Sequence, residues 1–197
     1  CGAYVAISSA VKSLAVKLTK VCNDMRLLAS GPRTGLSEIN LPMRQPGSSI
    51  MPGKVNPVIP EVTNQASFLA IGLDTTVMLA ASAGQLELNV MEPVISFAVF
   101  TQMKVMTNAM IALREKCVDG ITVNAEHTKD LVMNSLGIVT LLKPHFGYML
   151  CAEMAKEGYT EGKSLHQIVV EERKLMTEEK WNEVFSFQNL IAPKFEM

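Results

Sequence analysis

Apolar residues recur at Ile7, Ala10, Val11, Leu14, Ala15, Leu18, Val21, Cys22, Met25 and Leu28, the i, i+3, i+4 stripe of an amphipathic helix. Lys12, Lys17, Lys20 and Asp24 fall toward the other side, and Ser30-Gly31-Pro32 predicts the stop. From Gly31 to Pro57 the periodicity lapses and prolines and glycines gather. A loop that long in a compact protein is usually functional or disordered. Helical pattern resumes at Pro57–Pro60, where either proline suits a first turn, and continues through Val62, Ala66, Leu69, Leu73, Val77, Ala80 and Ala81 to about Leu86. A third run starts at Met91 or Pro93, passes Val94, Phe97, Ala98, Met103, Met106, Ala109, Met110 and Leu113 to Cys117, and is closed by Gly120.

Helices of about 25–30 residues are two to three times the mean length of roughly 11–12. Being apolar on more than one face, they predict a bundle that also packs against other subunits. Beyond Gly120 the units shorten: Ala125–Asn134, Ile138–Glu157, Leu165–Arg173 and Glu178–Phe185. Ser164 with Gln167 suits a capping box, and Thr177 before Glu178 and Glu179 suits another helix start. The pattern predicts an all-α chain without strands or repeats. Residues 1–122 form part of a long-helix bundle, and residues 123–197 a small helical C-terminal domain. The chain opens on Cys1 within helical periodicity, so it is expected to be the C-terminal part of a longer protein.

Composition narrows the function classes. At 197 residues and a net charge of −1, the chain has ample core and no polybasic run to engage nucleic acid. Cys1, Cys22, Cys117 and Cys151 are scattered, which predicts buried free thiols in a reducing cytoplasm. His127, His145 and His166 are isolated, so no metal site is expected. Asp74, Thr75 and Thr76 interrupt the apolar stretch Phe68–Ala81, so no membrane span is expected, and no signal peptide is read. The thirteen methionines are assigned to core filling.

The densest chemistry is GSSIMPGKVNP, Gly47 to Pro57, directly ahead of the second long helix. Gly47 and Gly53 let backbone approach a ligand closely. Ser48 and Ser49 bring hydroxyls, Lys54 a point charge, and Asn56 both a donor and an acceptor. The helix behind them turns its unsatisfied N–H groups and positive dipole end toward the same place. The segment therefore reads as a receptor for a small carboxylate, with a hydroxyl placed to react. Loops collect these residue types by default, and a solvated Lys54 is the plain alternative.

The whole string resembles the signature loop of the aspartase/fumarase superfamily, and SGPRTGLSEINLP ahead of it resembles that family's approach segment. GQLELNVMEPVI, Gly84 to Ile95, and FSFQNLIAP resemble the aspartase branch; fumarases tend to carry an aromatic at Leu86 and a basic residue at Glu92. The resemblance implies elimination of ammonia from L-aspartate to give fumarate. By resemblance Ser48 is the general base, Ser49 and the loop amides hold the carboxylate, Lys54 pairs with it and Asn56 orients the substrate. Glu61 matches a family glutamate, and a favourable place at the helix dipole explains it equally well. Asn89 and Glu92 read as polar contacts of the bundle. The loop is expected to move, closing over an aci-carboxylate intermediate.

The resemblance further implies a cytoplasmic homotetramer with active sites composed from several subunits, no cofactor and no metal ligands, with a divalent activator left open. A fumarase-type hydratase is the runner-up, and a non-catalytic helical oligomerisation module is the rival from another class.

Overall fold

A computed structural model describes residues 1–47 and 50–192, so Ser48 and Ser49 lie outside the described residues. The chain forms two compact units, Cys1–Asn124 and Ala125–Met197. The first is built on α1 (Gly2–Leu28), α2 (Val58–Ser82) and α3 (Glu92–Lys116). Helix α2 packs along both neighbours, while α1 and α3 meet less extensively. The all-α expectation holds, with helices running up, down and up.

Three small apolar layers hold this unit together. Val77, Ala80, Ile95, Ala98 and Val99 form one, Ala15, Ala70 and Met106 the middle one, and Cys22, Leu113 and Cys117 the third. Alanines at the contacts let the helices come close, and polar pairs lie between the layers. Ser8 donates to Asp74 Oδ1 at 2.7 Å and Lys12 meets Asp74 Oδ2 at 2.5 Å. Gln102 donates to the carbonyl of Ala70 at 2.8 Å.

Both prolines whose placement was open sit at the start of α2, Pro57 as the cap and Pro60 inside the first turn. Met91 caps α3, with Pro93 in its first turn. Helix α2 ends at Ser82, before the expected Leu86, because Asn89 turns back onto it. The Asn89 amide donates to Ala80 O at 3.0 Å, while its Oδ1 accepts from Met91 N–H at 2.9 Å, so one side chain ends α2 and begins α3.

One other expectation needs correction. A short antiparallel pair joins β1 (Ile39–Asn40) to β2 (Thr122–Val123), with Ile39 opposite Val123 and Asn40 opposite Thr122. Two-residue strands leave no alternation in the sequence to read. By length and composition, Val58–Ser82 and Glu92–Gly120 are also long and apolar enough to cross a membrane. The few polar residues do not bring their mean hydropathy below 1.2 and 1.3. Those polar residues are answered inside the bundle, Asp74 by Lys12 and Gln102 by Ala70.

Outer faces of α2 and α3 stay apolar, with Phe68, Leu79, Phe97 and Phe100 each more than half exposed. Among the cysteines, Cys22, Cys117 and Cys151 are buried and Cys1 is exposed, because Cys1 precedes the first turn of α1 rather than lying on its stripe.

The second unit surrounds Leu142, Met154, Leu165, Ile168 and Trp181. It comprises α4 (Ala125–Met133), a 3-10 segment Leu136–Leu142, α5 (Lys143–Glu161), a π-helical turn Gln167–Glu172, α6 (Glu178–Val184) and α7 (Phe187–Ile191). The single helix expected over Ile138–Glu157 is interrupted, since Leu136–Leu142 winds as 3-10 and Gly147 sits at φ 74°. Thr177 caps α6 by accepting from Lys180 N–H, and Ser164 Oγ accepts from Gln167 N–H at 3.2 Å.

Candidate functional site

The segment between α1 and α2 is pinned at both ends before it reaches the glycine-rich loop. Ser30 Oγ donates to Leu27 O at 2.6 Å and accepts from Leu36 N–H at 3.0 Å, turning the chain off α1. Asn124 then clamps it from afar, its amide donating to Ser37 O at 2.6 Å and its main-chain N–H to Glu38 O at 3.0 Å. Arg44 Nε donates to Lys116 O at 2.6 Å, using one of the carbonyls that the end of α3 leaves unsatisfied. Leu41 and Ile59 pack on the layer of Cys22, Leu113 and Cys117, which forms the floor below.

The loop closes on itself. Gly47 N–H donates to Lys54 O at 2.8 Å, Lys54 N–H to Met51 O at 3.2 Å, and the Asn56 side-chain amide to Gly47 O at 3.0 Å. Only glycine fits at position 47, because a Cβ there would lie 2.2 Å from Lys54 O. Gly53 occupies φ 78°, where L side chains are strained. Ile50 is 86% exposed, so this tip contributes little packing.

Lys54, Asn56 and Glu61 come together on one open cleft of about 650 Å³, at the junction of the loop and the start of α2. Lys54 is exposed and has no ion-pair partner among the described residues. Asn56 has its Nδ2 engaged by the carbonyl of Gly47. Glu61 stands in the first turn of α2, the place its dipole favours for an anion. Asn89 and Glu92 lie at the far junction between α2 and α3 and do not line this cleft.

The cleft holds one charged residue that the sequence reading missed. Arg26, in the last turn of α1, places Nη2 3.8 Å from Glu61 Oε1. Its Nη1 donates to Asn23 Oδ1 at 3.4 Å, and the same oxygen accepts from buried Asn64 Nδ2 at 2.8 Å. A basic residue closing a helix four positions before SGPR was the available signal, but it reads as an ordinary dipole partner.

Beneath the cleft, burial with Cys117 alongside pushes the Cys22 thiol up to about 11, so it stays protonated at neutral pH. Among the described residues no group of three histidine, cysteine or carboxylate side chains could hold a metal ion. A lysine beside the amino end of a helix suits a small anion, and the amide oxygen of Asn56 suits a donor group on the same molecule.

Known proteins resemble this chain along its length. The family model described as Lyase matches residues 1–72, and that of the Fumarase C C-terminus matches residues 138–192. Aspartate ammonia-lyase of Escherichia coli is 55% identical over 196 residues, covering 100% of this chain and 41% of that protein. The Helicobacter pylori protein of the same name is 54% identical over 192 residues, 98% of this chain and 41% of its own length. Among solved structures, fumarate lyase:delta crystallin from Brucella melitensis is 44% identical with a TM-score of 0.87, over 93% of this chain and 40% of the other. A class II fumarase from Schistosoma mansoni is 36% identical with a TM-score of 0.89, over 99% of this chain and 40% of the other. The chain thus spans about two-fifths of the length of the relatives it matches.

Proposed function

The chain belongs to the lyase superfamily that unites aspartases with class II fumarases, and from that premise we propose that it is part of an aspartate ammonia-lyase, converting L-aspartate reversibly to fumarate and ammonia. The observation that carries this reading is 55% identity to an aspartate ammonia-lyase along the whole chain. Identity to the class II fumarase is 36%.

In this reading Ser48 removes a proton from Cβ of aspartate. The C–H is weakly acidic, and the electron pair is best held as an aci-carboxylate carrying two negative charges on its oxygens. Such a species is more highly charged than the substrate, so groups aimed at its oxygens bind it more tightly than the ground state. Lys54, Ser49, the loop amides and the amino end of α2 are those groups. Asn56 keeps the loop closed through Nδ2 and offers Oδ1 to the substrate ammonium. The electron pair then forms the double bond as the C–N bond breaks, and ammonia leaves with fumarate.

Ser48 serves as a base only if nearby positive groups stabilise its alkoxide, the part assigned to Lys54 and the helix end. Glu61 supports the site from its rim. Closing of the loop excludes water from the carbanion.

Partner subunits supply the rest of the site. Exposed Phe68, Leu79, Phe97 and Phe100 on long helices suit burial by sister helices, in a homotetramer whose active sites are composite. Four free cysteines, three of them buried, suit a cytoplasmic protein. Neither cofactor nor nucleic acid enters this mechanism.

The test is an assay of the full-length protein of the relatives' length, with aspartate and malate in parallel, followed by the ultraviolet absorbance of fumarate. Aspartate turnover well above malate turnover is expected. Preference for malate would transfer the reading to a fumarase-type hydratase, and inactivity on both would remove it.

A further inference from the structure

We propose that Arg44 is a positioning residue for the glycine-rich loop: by gripping the carbonyl end of α3 it fixes the stretch of chain that carries Gly47, and through Gly47 the place of Lys54. The inference rests on the reading above, in which Lys54 meets the substrate carboxylate, and deepens it by naming what keeps that lysine in register. The need is visible in the segment itself. Between β1 and α2 the described residues form neither helix nor strand, and Met43, Arg44, Gln45 and Pro46 are all exposed. Burial therefore does not place them.

The stem of the loop is instead laid stepwise along the chain that leaves α3. Asn40 stands opposite Thr122 in the short strand pair, and Pro42 abuts Gly120, where a Cβ would lie 2.6 Å from Pro42 Cγ. Arg44 is the last contact of this series, with Nε donating to Lys116 O at 2.6 Å and Nη2 to Glu115 O at 3.4 Å. Those carbonyls belong to the last turn of α3, which lacks intrahelical donors for them and whose negative dipole end attracts a cation. The guanidinium is thus committed to the helix rather than to a ligand. Only Gln45 and Pro46 separate Arg44 from Gly47, and the proline ring restricts that short link. Gly47 N–H then donates to Lys54 O at 2.8 Å, and Gly47 O accepts from Asn56 Nδ2 at 3.0 Å. The main chain of Lys54 is therefore set from the end of α3, by way of Arg44 and Gly47. A lysine at position 44 could reach one carbonyl but lacks the planar fork that meets both.

The experiment pairs hydrogen–deuterium exchange, read by mass spectrometry on the full-length protein, with steady-state kinetics on aspartate. Arg44→Ala should speed exchange in peptides spanning residues 45–57 about tenfold, with those of α1, α2 and α3 unchanged. Its kcat/KM should fall about tenfold, the scale expected of a displaced binding group. Arg44→Lys, which keeps one carbonyl contact, should lie between wild type and Arg44→Ala in both readouts. The melting temperature of Arg44→Ala should move by less than about 2 °C, since Arg44 is exposed and its carbonyl partners can turn to water. A merely structural cap would instead lower the melting temperature and loosen the end of α3, and that result overturns the proposal. Unchanged loop exchange and unchanged kcat/KM in Arg44→Ala overturn it equally. If Arg44→Ala does not fold, the same two readouts on Arg44→Lys decide it. Exchange does not depend on turnover, so a wild-type protein inactive on aspartate overturns the lyase reading, while loop exchange in Arg44→Ala still judges the anchor.

Discussion

The side-chain amide of Asn56 donates to the main-chain carbonyl of Gly47 at 3.0 Å, nine residues away, and ties the two ends of the loop together. An asparagine assigned to substrate thereby also has a structural task. Asn56→Asp cannot donate and sets a carboxylate against the Gly47 carbonyl. It should lower kcat/KM at least as far as Asn56→Ala, by tenfold or more on the order expected for a misplaced positioning group. Steady-state kinetics on the full-length protein checks this, and Asn56→Asp outperforming Asn56→Ala would count against the tie.

Ser48 and Lys54 should separate kinetically. Ser48→Ala removes the proposed base and should lower kcat by roughly 10²–10³ with KM little changed, since the lost interaction exists only in the transition state. Lys54→Ala removes a charge felt by substrate and transition state alike, so KM for aspartate should rise. Normal turnover by Ser48→Ala, or an unchanged KM in Lys54→Ala, would reject the respective assignment.

Asp74 gives the bundle an acid-sensitive pin. Burial pushes its carboxyl up, but Lys12, Ser8 and Ser9 together outweigh that and hold it below the usual value of 3.8. A depressed carboxyl contributes stability above its unfolded value of about 3.9, and that stability is lost as pH falls through the lower folded value. Asp74→Asn should therefore flatten the acid limb of a circular-dichroism stability profile below about pH 4. At neutral pH, Asp74→Ala should cost about 1–3 kcal/mol, because Ser8 is left buried without its acceptor. An acid limb unchanged in Asp74→Asn would dismiss the pin.

Only Cys1 should react readily with a thiol reagent in the native protein. It is exposed, whereas Cys22, Cys117 and Cys151 are buried. Burial raises all three thiols, that of Cys22 to about 11. One fast equivalent of a chromogenic disulfide, with the others appearing on denaturation, is the expected count. Fast labelling of Cys22 would contradict the packed floor below the cleft.

Self-association should depend on the outer face of α3. Phe97 and Phe100 are 65% and 70% exposed, large apolar side chains with no cover from this chain. Paired charge substitutions, Phe97→Glu with Phe100→Glu, should dissociate the assembly in sedimentation velocity. A wild-type protein that sediments as a monomer would remove the tetramer reading.

Much of the fold was legible because helices are written locally. The stripe Ile7–Leu28, the stop at Ser30-Gly31-Pro32 and the cap at Thr177 each act within a few residues, and α1, α2, α3 and α6 follow them closely. Residue types in the loop suggested a carboxylate receptor, but loops collect the same types by default, so the proposal for that site leans on the resemblance of the whole string.

What the sequence determined by itself is thus the long helices and where the loop between them falls. The tertiary structure decided which distant residues meet there. Pairing of Ile39–Asn40 with Thr122–Val123, and the clamp of Asn124 on Ser37, arise only once three antiparallel helices return the chain to where it left α1. The entry of Arg26 into the cleft beside Glu61 depends on the same return, because the last turn of α1 and the first of α2 are separated by a long loop and adjacent only in the packed bundle. Periodicity reports the face a residue occupies on its own helix. Which face of a second helix it meets is set by the packing of both, and that information is spread over the whole core.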